Sequence, residues 1–421
     1  MTKRPALPRG VAVVGAGMSK FGAFPEKSSR DLFVEAYLDL GKSVDKGFDP
    51  EAIDAIYTGN YSGELFEGQG HTAPLIAEAA GLTPVPAVRV EGACASGGLA
   101  FRQGVIAVAS GMNEAVLVAG YEKMTNLPTS QVTDALATAG DTLYEIPAGF
   151  TFPGFYAAIA TAYMAKYGMT PEHLMKVTLK NHENGALNPK AQFNVTIPGW
   201  MKGRVEAAIK KGKPVPTWQT VWDFLHDDSA NPMIAWPLRL FDCSPVTDGA
   251  GALLLVPAEE AHKYTDNPIY LVGTGQASDV ALHSRAELTS LGAAAHAAAT
   301  AYEMAGVKPD DIRIAEVHDC FTIAEVVATE DLGFFEPGEG YKMADEGVTA
   351  RLGPKPINTS GGLKAKGHPV GASGVAQIYE IWKQMRGEAG ERQVPGDVPL
   401  ALTHNVGATG TTCVVNIFEH R

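Results

Sequence analysis

VAVVGAGMSKF, residues 11–21, carries the apolar run Val11-Ala12-Val13-Val14 straight into Gly15-Ala16-Gly17. The run predicts a buried strand, and the glycines predict a turn at its end. Two glycines so placed also begin a dinucleotide-binding fingerprint. Here the third glycine is absent at the required spacing, no amphipathic helix opens directly from the turn, and no acidic residue clearly closes a second strand. What decides the fold is that the stretch comes twice. IYLVGTGQASD (269–279) echoes it, KPDDIRIAEVHDCF (308–321) echoes DPEAIDAIYTGNY (49–61), and VPLALTHNVG (398–407) echoes EAVLVAGYE (114–122). The echoes keep their order at an offset of about 260 to 285 residues, the sign of a duplicated α/β unit.

Composition sets the outer limits. The chain has 421 residues, 45% hydrophobic and 19% charged, which suits a globular protein of two or three domain-sized units. No apolar run approaches the length of a membrane span, and MTKRPALPRG lacks the apolar core of a secretory signal, so a cytoplasmic protein with no membrane contact is expected. A net charge of −13 argues against nucleic acid as a partner. Cys94, Cys243, Cys320 and Cys413 lie far apart with no CxxC pair, so neither a disulfide framework nor a metal site is expected.

Around the echoes, Ser28 or Ser29 caps a helix carrying Leu32, Phe33, Ala36, Tyr37 and Leu40 on one face. Asp49-Pro50-Glu51 starts another. Between the halves the texture changes to helical stretches and Pro-, Trp- and Gly-containing loops, and a connection this long is normally functional. The reading is a first half at 1–123 and 241–266, an inserted domain at 124–240, and a second half at 267–421. The insert holds Lys202, Arg204, Lys210, Lys211 and Lys213, the densest positive cluster of an acidic chain. It is either a solvated helix face or a landing site for phosphates.

Four segments carry chemistry. Cys94, in VEGACASGG (90–98), stands between a strand-like run and a small-residue helix, where the positive helix end favours thiolate. Taken alone it is as readily core filler as nucleophile. His368, in GHPVGASG (367–374), lies in a glycine-rich turn and offers an imidazole to activate a thiol or hold an oxyanion. His318, Asp319 and Cys320 follow a strand in succession, which is costly to bury unless the groups are paired or functional. The loop THNVGATG (403–410) is either a tight turn or a source of amide donors, Gly407 foremost.

This ordered set, CASGG, HDCF, GHPVGASG and a terminal CxG-like loop, resembles the thiolase family over essentially the whole chain. The HDCF form resembles the branch of sterol-carrier-protein-type thiolases. The resemblance implies a duplicated, five-layered αβαβα fold with the inserted loop domain over the active site. It also implies ping-pong chemistry on coenzyme A thioesters, with coenzyme A as co-substrate and no permanently bound cofactor. Cys94 matches the acylated nucleophile and His368 its activator. His318 takes the place of an asparagine that works with that histidine at the thioester oxyanion hole. The amides of Cys94 and Gly407 match a second oxyanion hole. The family's terminal acid/base cysteine is replaced by Asn405, which passes that role to Cys320. Cys413 matches no motif and reads as core. Ser244 matches a pantetheine contact, and Tyr156 stands near the family's pocket-lining pair. The run GFTFPGFY (149–156) is either a wall for a bulky or aromatic acyl group or ordinary core. Homodimers or dimers of dimers, and a small zinc-ribbon/OB-fold companion, are also implied. The expected activity is 3-oxoacyl-CoA cleavage or the reverse Claisen condensation. Against it stand a decarboxylating ketoacyl-synthase-like enzyme and a non-catalytic scaffold subunit.

Overall fold

The computed structural model describes residues 7–421. Its strands are β1 (Val11–Met18), β2 (Ala55–Gly59), β3 (Ala87–Val90), β4 (Val116–Glu122), β5 (Met233–Ala235), β6 (Leu238–Arg239), β7 (Gly249–Pro257), β8 (Ile269–Ser278), β9 (Ile314–Glu316), β10 (Leu400–Gly407) and β11 (Thr412–His420). Nine of them hydrogen-bond in the order β3-β2-β4-β7-β1-β8-β11-β10-β9, while β5 and β6 form a separate hairpin. Only three residue pairs, Val11–Val13 against Ile269–Leu271, join β1 to β8. That short junction divides the sheet into two wings.

The echoed segments occupy matching places in those wings. β2 pairs parallel with β4, as β9 does with β10. β7 pairs antiparallel with both β4 and β1, as β11 does with β10 and β8. The counterpart of β3 is reduced to one parallel bridge between Ala315 and Ile357.

Helices complete the layers. Helix Ser29–Ser43 covers the outside of the first wing, burying Leu32, Phe33 and Leu40 against Val14, Leu117 and Leu254. Helix Gly292–Ala305 covers the second, burying Ala297 and Ala301 near Val415 and Ile417. Between the wings lie helices Ser96–Ala109 and Ser373–Met385, whose Phe101, Val105, Ile378 and Trp382 touch a core shared by Val118 and Leu253 on one side and Ala401 and Phe418 on the other. Burying each such large side chain contributes about 1.5–3 kcal/mol. The result is the five-layered αβαβα arrangement.

The expected glycine turn after Val14 is not a turn. β1 continues unbroken to Met18. A Cβ on Gly17 would fall on the backbone of Ala36 and Leu40, and one on Gly273 or Gly275 would fall on that of Ala301 or Ala297. The glycines let each outer helix lie directly on its strand, the same device in both wings. Ser28 forms the cap of the first helix, in a capping box with Asp31. Asp49-Pro50 starts only a single 3-10 turn, Pro50–Ala52, matched in the second wing by Pro309–Asp311.

The segment between β4 and β7 holds helices Thr129–Ala137, Phe152–Tyr167, Pro171–Ala186, Ile197–Lys210 and Val221–His226 and the β5–β6 hairpin. Phe155, Tyr156, Ile159 and Tyr163 sink into the core of the second wing. Met175, Ile197, Phe224 and Phe241 form a small core of their own. No helix among the described residues is long and apolar enough to cross a membrane.

Candidate active site

Cys94 sits in a 3-10 turn, Ala93–Ala95, at the mouth of helix Ser96–Ala109. Ala93 has φ 50°, a left-handed conformation rare for a residue with a Cβ. The turn is laced at both sides. Ala93 N–H donates to Glu91 Oε1 at 2.6 Å, Gly92 N–H donates to Ser96 Oγ at 3.0 Å, and Ser96 Oγ donates to Ala93 O at 2.6 Å. Beyond it the backbones of the two central helices touch. A Cβ on Gly97 would lie 2.7 Å from Gly371 O, and one on Gly374 would strike Gly98 N.

The thiol is not the lowered one that the helix end suggested. Burial pushes Cys94 up to about 12, with the nearby Glu122 carboxyl adding to it. The amides of Ala408 and of Cys94 itself point at the sulfur and pull the other way, and desolvation wins. A thiol held this way keeps its proton near neutral pH, so any attack by it would need a base within reach.

Two imidazoles face it. The Cys94 sulfur and a ring nitrogen of each of His318 and His368 lie within 4.8 Å of one another, and the two rings meet edge-on at 5.1 Å. Ser373 Oγ gives its one proton to Pro369 O at 3.0 Å, so at 2.6 Å it accepts from His368 Nδ1–H. His368 thus presents a bare Nε2, and burial lowers its basicity to about 3. His318 Nδ1 meets Asn405 Nδ2 at 3.2 Å, and its Nε2 is buried without a hydrogen-bond partner. Burial and the neighbouring His368 hold His318 well below the ordinary histidine range. The His318 amide rests on Nδ1 of a third buried imidazole, His404, at 3.3 Å.

Cys320 lines the same cavity as Cys94 and His368, a space of about 290 Å³ with apolar walls that include Val132, Leu136, Phe152, Val246 and Val370. Burial and the Cys94 sulfur push the Cys320 thiol well up, and a hydrogen bond with Tyr156 opposes them. Tyr156 lies behind the cavity wall. Its ring stacks on Phe321 at 4.7 Å and its hydroxyl reaches Ala408 O at 3.3 Å. Of the run GFTFPGFY, Phe152 and Pro153 face the cavity, while Phe150 and Phe155 stack on each other at 5.1 Å.

The remaining expected residues fall at varied distances from this centre. Asp319 is paired, accepting from Asn181 Nδ2 at 2.8 Å and Leu363 N–H at 2.6 Å. Gly407 packs against the Gly92 carbonyl, and it is the next residue, Ala408, whose amide points at the Cys94 sulfur. Cys413 is buried in the second-wing core. Ser244 lies where the main cavity meets a smaller one of about 140 Å³ lined by His182, Trp200, Arg204 and Lys364. Arg204 thereby links the cationic cluster to the site. Lys210, Lys211 and Lys213 lie exposed at and beyond the end of helix Ile197–Lys210 and line neither cavity. Ser373 and the tethering by Asn405 escaped the reading of the sequence, whereas Arg204 was named there as part of the cationic cluster. Ser373 carries a weak signal as a hydroxyl inside the GHPVGASG turn.

Cys94, His318 and His368 are residue types that hold zinc.

A model of the thiolase N-terminal domain matches residues 11–259, and one of the thiolase C-terminal domain-like family matches residues 275–420. The acetyl-CoA acetyltransferase of Methanothermobacter thermautotrophicus is 47% identical over 98% of this chain and 100% of its own length. Human sterol carrier protein 2 is 31% identical over 97% of this chain and 72% of its own. The solved Ltp2-ChsH2(DUF35) aldolase superposes with a TM-score of 0.78 at 24% identity, covering 99% of each chain, a likeness of fold.

Proposed function

The chain belongs to the thiolase family, and we propose that it cleaves a 3-oxoacyl-CoA, or runs the reverse condensation, through an acyl group carried on Cys94. The observation that carries this is the meeting of Cys94, His318 and His368 within 4.8 Å on a cavity that also exposes Cys320.

In the cleavage direction His368 Nε2 takes the Cys94 proton as the sulfur attacks the 3-oxo carbon. The amides of Cys94 and Ala408 stabilise the resulting oxyanion, with Gly407 in the same loop. The bond between C2 and C3 then breaks, leaving an acyl thioester on Cys94 and an acetyl-CoA enolate. Cys320 gives that enolate its proton and becomes a thiolate. The incoming coenzyme A thiol restores Cys320's proton, attacks the acyl thioester, and releases Cys94, which recovers its own proton from His368. Protons and bonds balance over the cycle.

The finer reading is that the acyl group is bulky, since the cavity walls are apolar, and that coenzyme A enters past Arg204 and Ser244. A DUF35 protein accompanies the aldolase named above, and a zinc-ribbon/OB-fold companion is proposed here too. The exposed apolar hairpin of Met233, Ile234 and Trp236 beside the cavity is compatible with one. Assembly as a homodimer or dimer of dimers, and residence in a reducing cytoplasm that keeps four cysteines free, complete the proposal.

Incubation with acetoacetyl-CoA and longer or aromatic 3-oxoacyl-CoAs, followed by peptide mass spectrometry, tests it. Acyl mass on the Cys94 peptide, removed by coenzyme A, is the expected result. A protein that never carries acyl mass with any of these substrates overturns it. Sizing of the native protein, with and without copurifying chains, tests the assembly.

A further inference from the structure

We infer that Asn405 is a positioning residue that sets the tautomer of His318 and thereby decides which of the two facing imidazoles donates and which accepts. The carboxamide can be oriented in only one way. Its Oδ1 lies 3.0 Å from the Gly98 N–H, which can only donate, and its Nδ2 lies 3.0 Å from the Cys94 carbonyl, which can only accept. The second Nδ2 proton then points at His318 Nδ1 at 3.2 Å, which must accept it. The ring proton of His318 is left on Nε2, the buried atom without a partner.

His368 is wired the opposite way through Ser373. The site therefore sets an N–H against a lone pair on two rings whose centroids lie 5.1 Å apart, one suited to a developing thioester oxyanion and the other to a thiol proton. Asn405 is buried, and Gly98 and Gly374 leave no slack around it: a Cβ on Gly98 would lie 2.8 Å from Oδ1. One side chain thus clamps the nucleophile turn and primes the oxyanion donor.

The consequence for turnover rests on the proposed acyl transfer, whereas the tautomer is read on the resting protein without substrate. The experiment is long-range proton–nitrogen NMR of protein labelled at its 11 histidines, with His318→Asn supplying the assignment by difference. The expected wild-type signal is pyrrole-type at Nε2 and pyridine-type at Nδ1. In Asn405→Asp the carboxylate has no proton to give, so the ring proton moves to Nδ1 and the pattern inverts. Loss of one oxyanion donor lowers kcat by about 10²- to 10³-fold, with KM within about threefold because binding contacts are untouched. A pyridine-type Nε2 in the wild type overturns the inference, and that measurement needs no folded variant. So does an Asn405→Asp protein that keeps both the wild-type pattern and its kcat. A wild type with the expected pattern but no acyl transfer sinks the proposed function and leaves the assignment standing.

Discussion

Both wings carry a buried polar side chain near the end of the strand that pairs parallel with its neighbour, and each reaches across to the opposite wing. Glu122, at the end of β4, accepts from Asn60 Nδ2 at 2.8 Å, Tyr61 N–H at 2.8 Å, Ser62 N–H at 3.1 Å and, in the loop before the other wing's central helix, Gly371 N–H at 3.0 Å. Asn405, near the end of β10, holds the Cys94 turn and Gly98 in the loop and helix of the first wing. The two grips are reciprocal, but what they hold is not. In the proposed cycle the first wing presents the atom that makes bonds, Cys94 Sγ, and the second presents His318, Cys320 and His368, the groups that donate or move protons. Duplication supplies two interlocked sockets, and chemistry divides the labour between them.

The sharpest break of that division is Cys94→Ser. Removing the bond-making atom lowers turnover by at least about 10⁴-fold and abolishes acyl mass on the protein. Persisting acylation would place the nucleophile elsewhere. Cys320→Ala strikes the proton side alone. The first acyl transfer survives in a burst, while steady turnover falls by about 10²- to 10⁴-fold. If rapid quench shows the burst lost as well, the two wings are not chemically separable.

A third test concerns the resting charge of the pair. His368 is depressed to about 3 and Cys94 raised to about 12, so the neutral thiol and neutral imidazole persist between those limits. As pH falls the base keeps its lone pair, and as pH rises the thiol keeps its proton. The stopped-flow acylation rate should vary by less than about threefold from pH 5.5 to 9. Burial raises the neighbouring Glu122 to about 7, so a limb with a midpoint between 6 and 8 that persists in Glu122→Gln would reveal a thiolate–imidazolium pair instead. Glu122→Leu sharpens the structural half of the comparison. It strands buried amide donors and should cost about 3 kcal/mol or more in urea unfolding. The smallest effect belongs to the surface. Neutralising Lys210, Lys211 and Lys213 should raise the KM for coenzyme A about two- to fivefold at low salt and not at high salt. Arg204→Gln should raise it more.

The duplication and the four loops were legible because each is a local pattern repeated or spaced along the chain, and the pairing of Cys94 with His368 followed from the family resemblance those loops carry. The glycines of β1 were misread as a turn because their cause, the backbone of Ala36 and Leu40, is a tertiary contact. The acidity of Cys94 was misjudged for a related reason. A helix end is visible in sequence, and the burial that outweighs it is not. Asn405 was visible as a missing cysteine, yet its role depends on Cys94, 311 positions away, which no spacing rule reaches.

The glycine contact between the central helices has a further consequence. Where Gly97 meets Gly371 and Gly374 meets Gly98, the spacing between the Cys94 turn and the His368 loop is ruled by main chain against main chain. Most of the cavity walls, by contrast, are ordinary side chains on the inserted helices and loops, with Phe321 and Val370 added from the second wing. Substitutions in those walls would reshape the cavity while leaving the ruler between sulfur and imidazole the same length, so the shape of the pocket and the spacing of its reactive groups are mechanically independent.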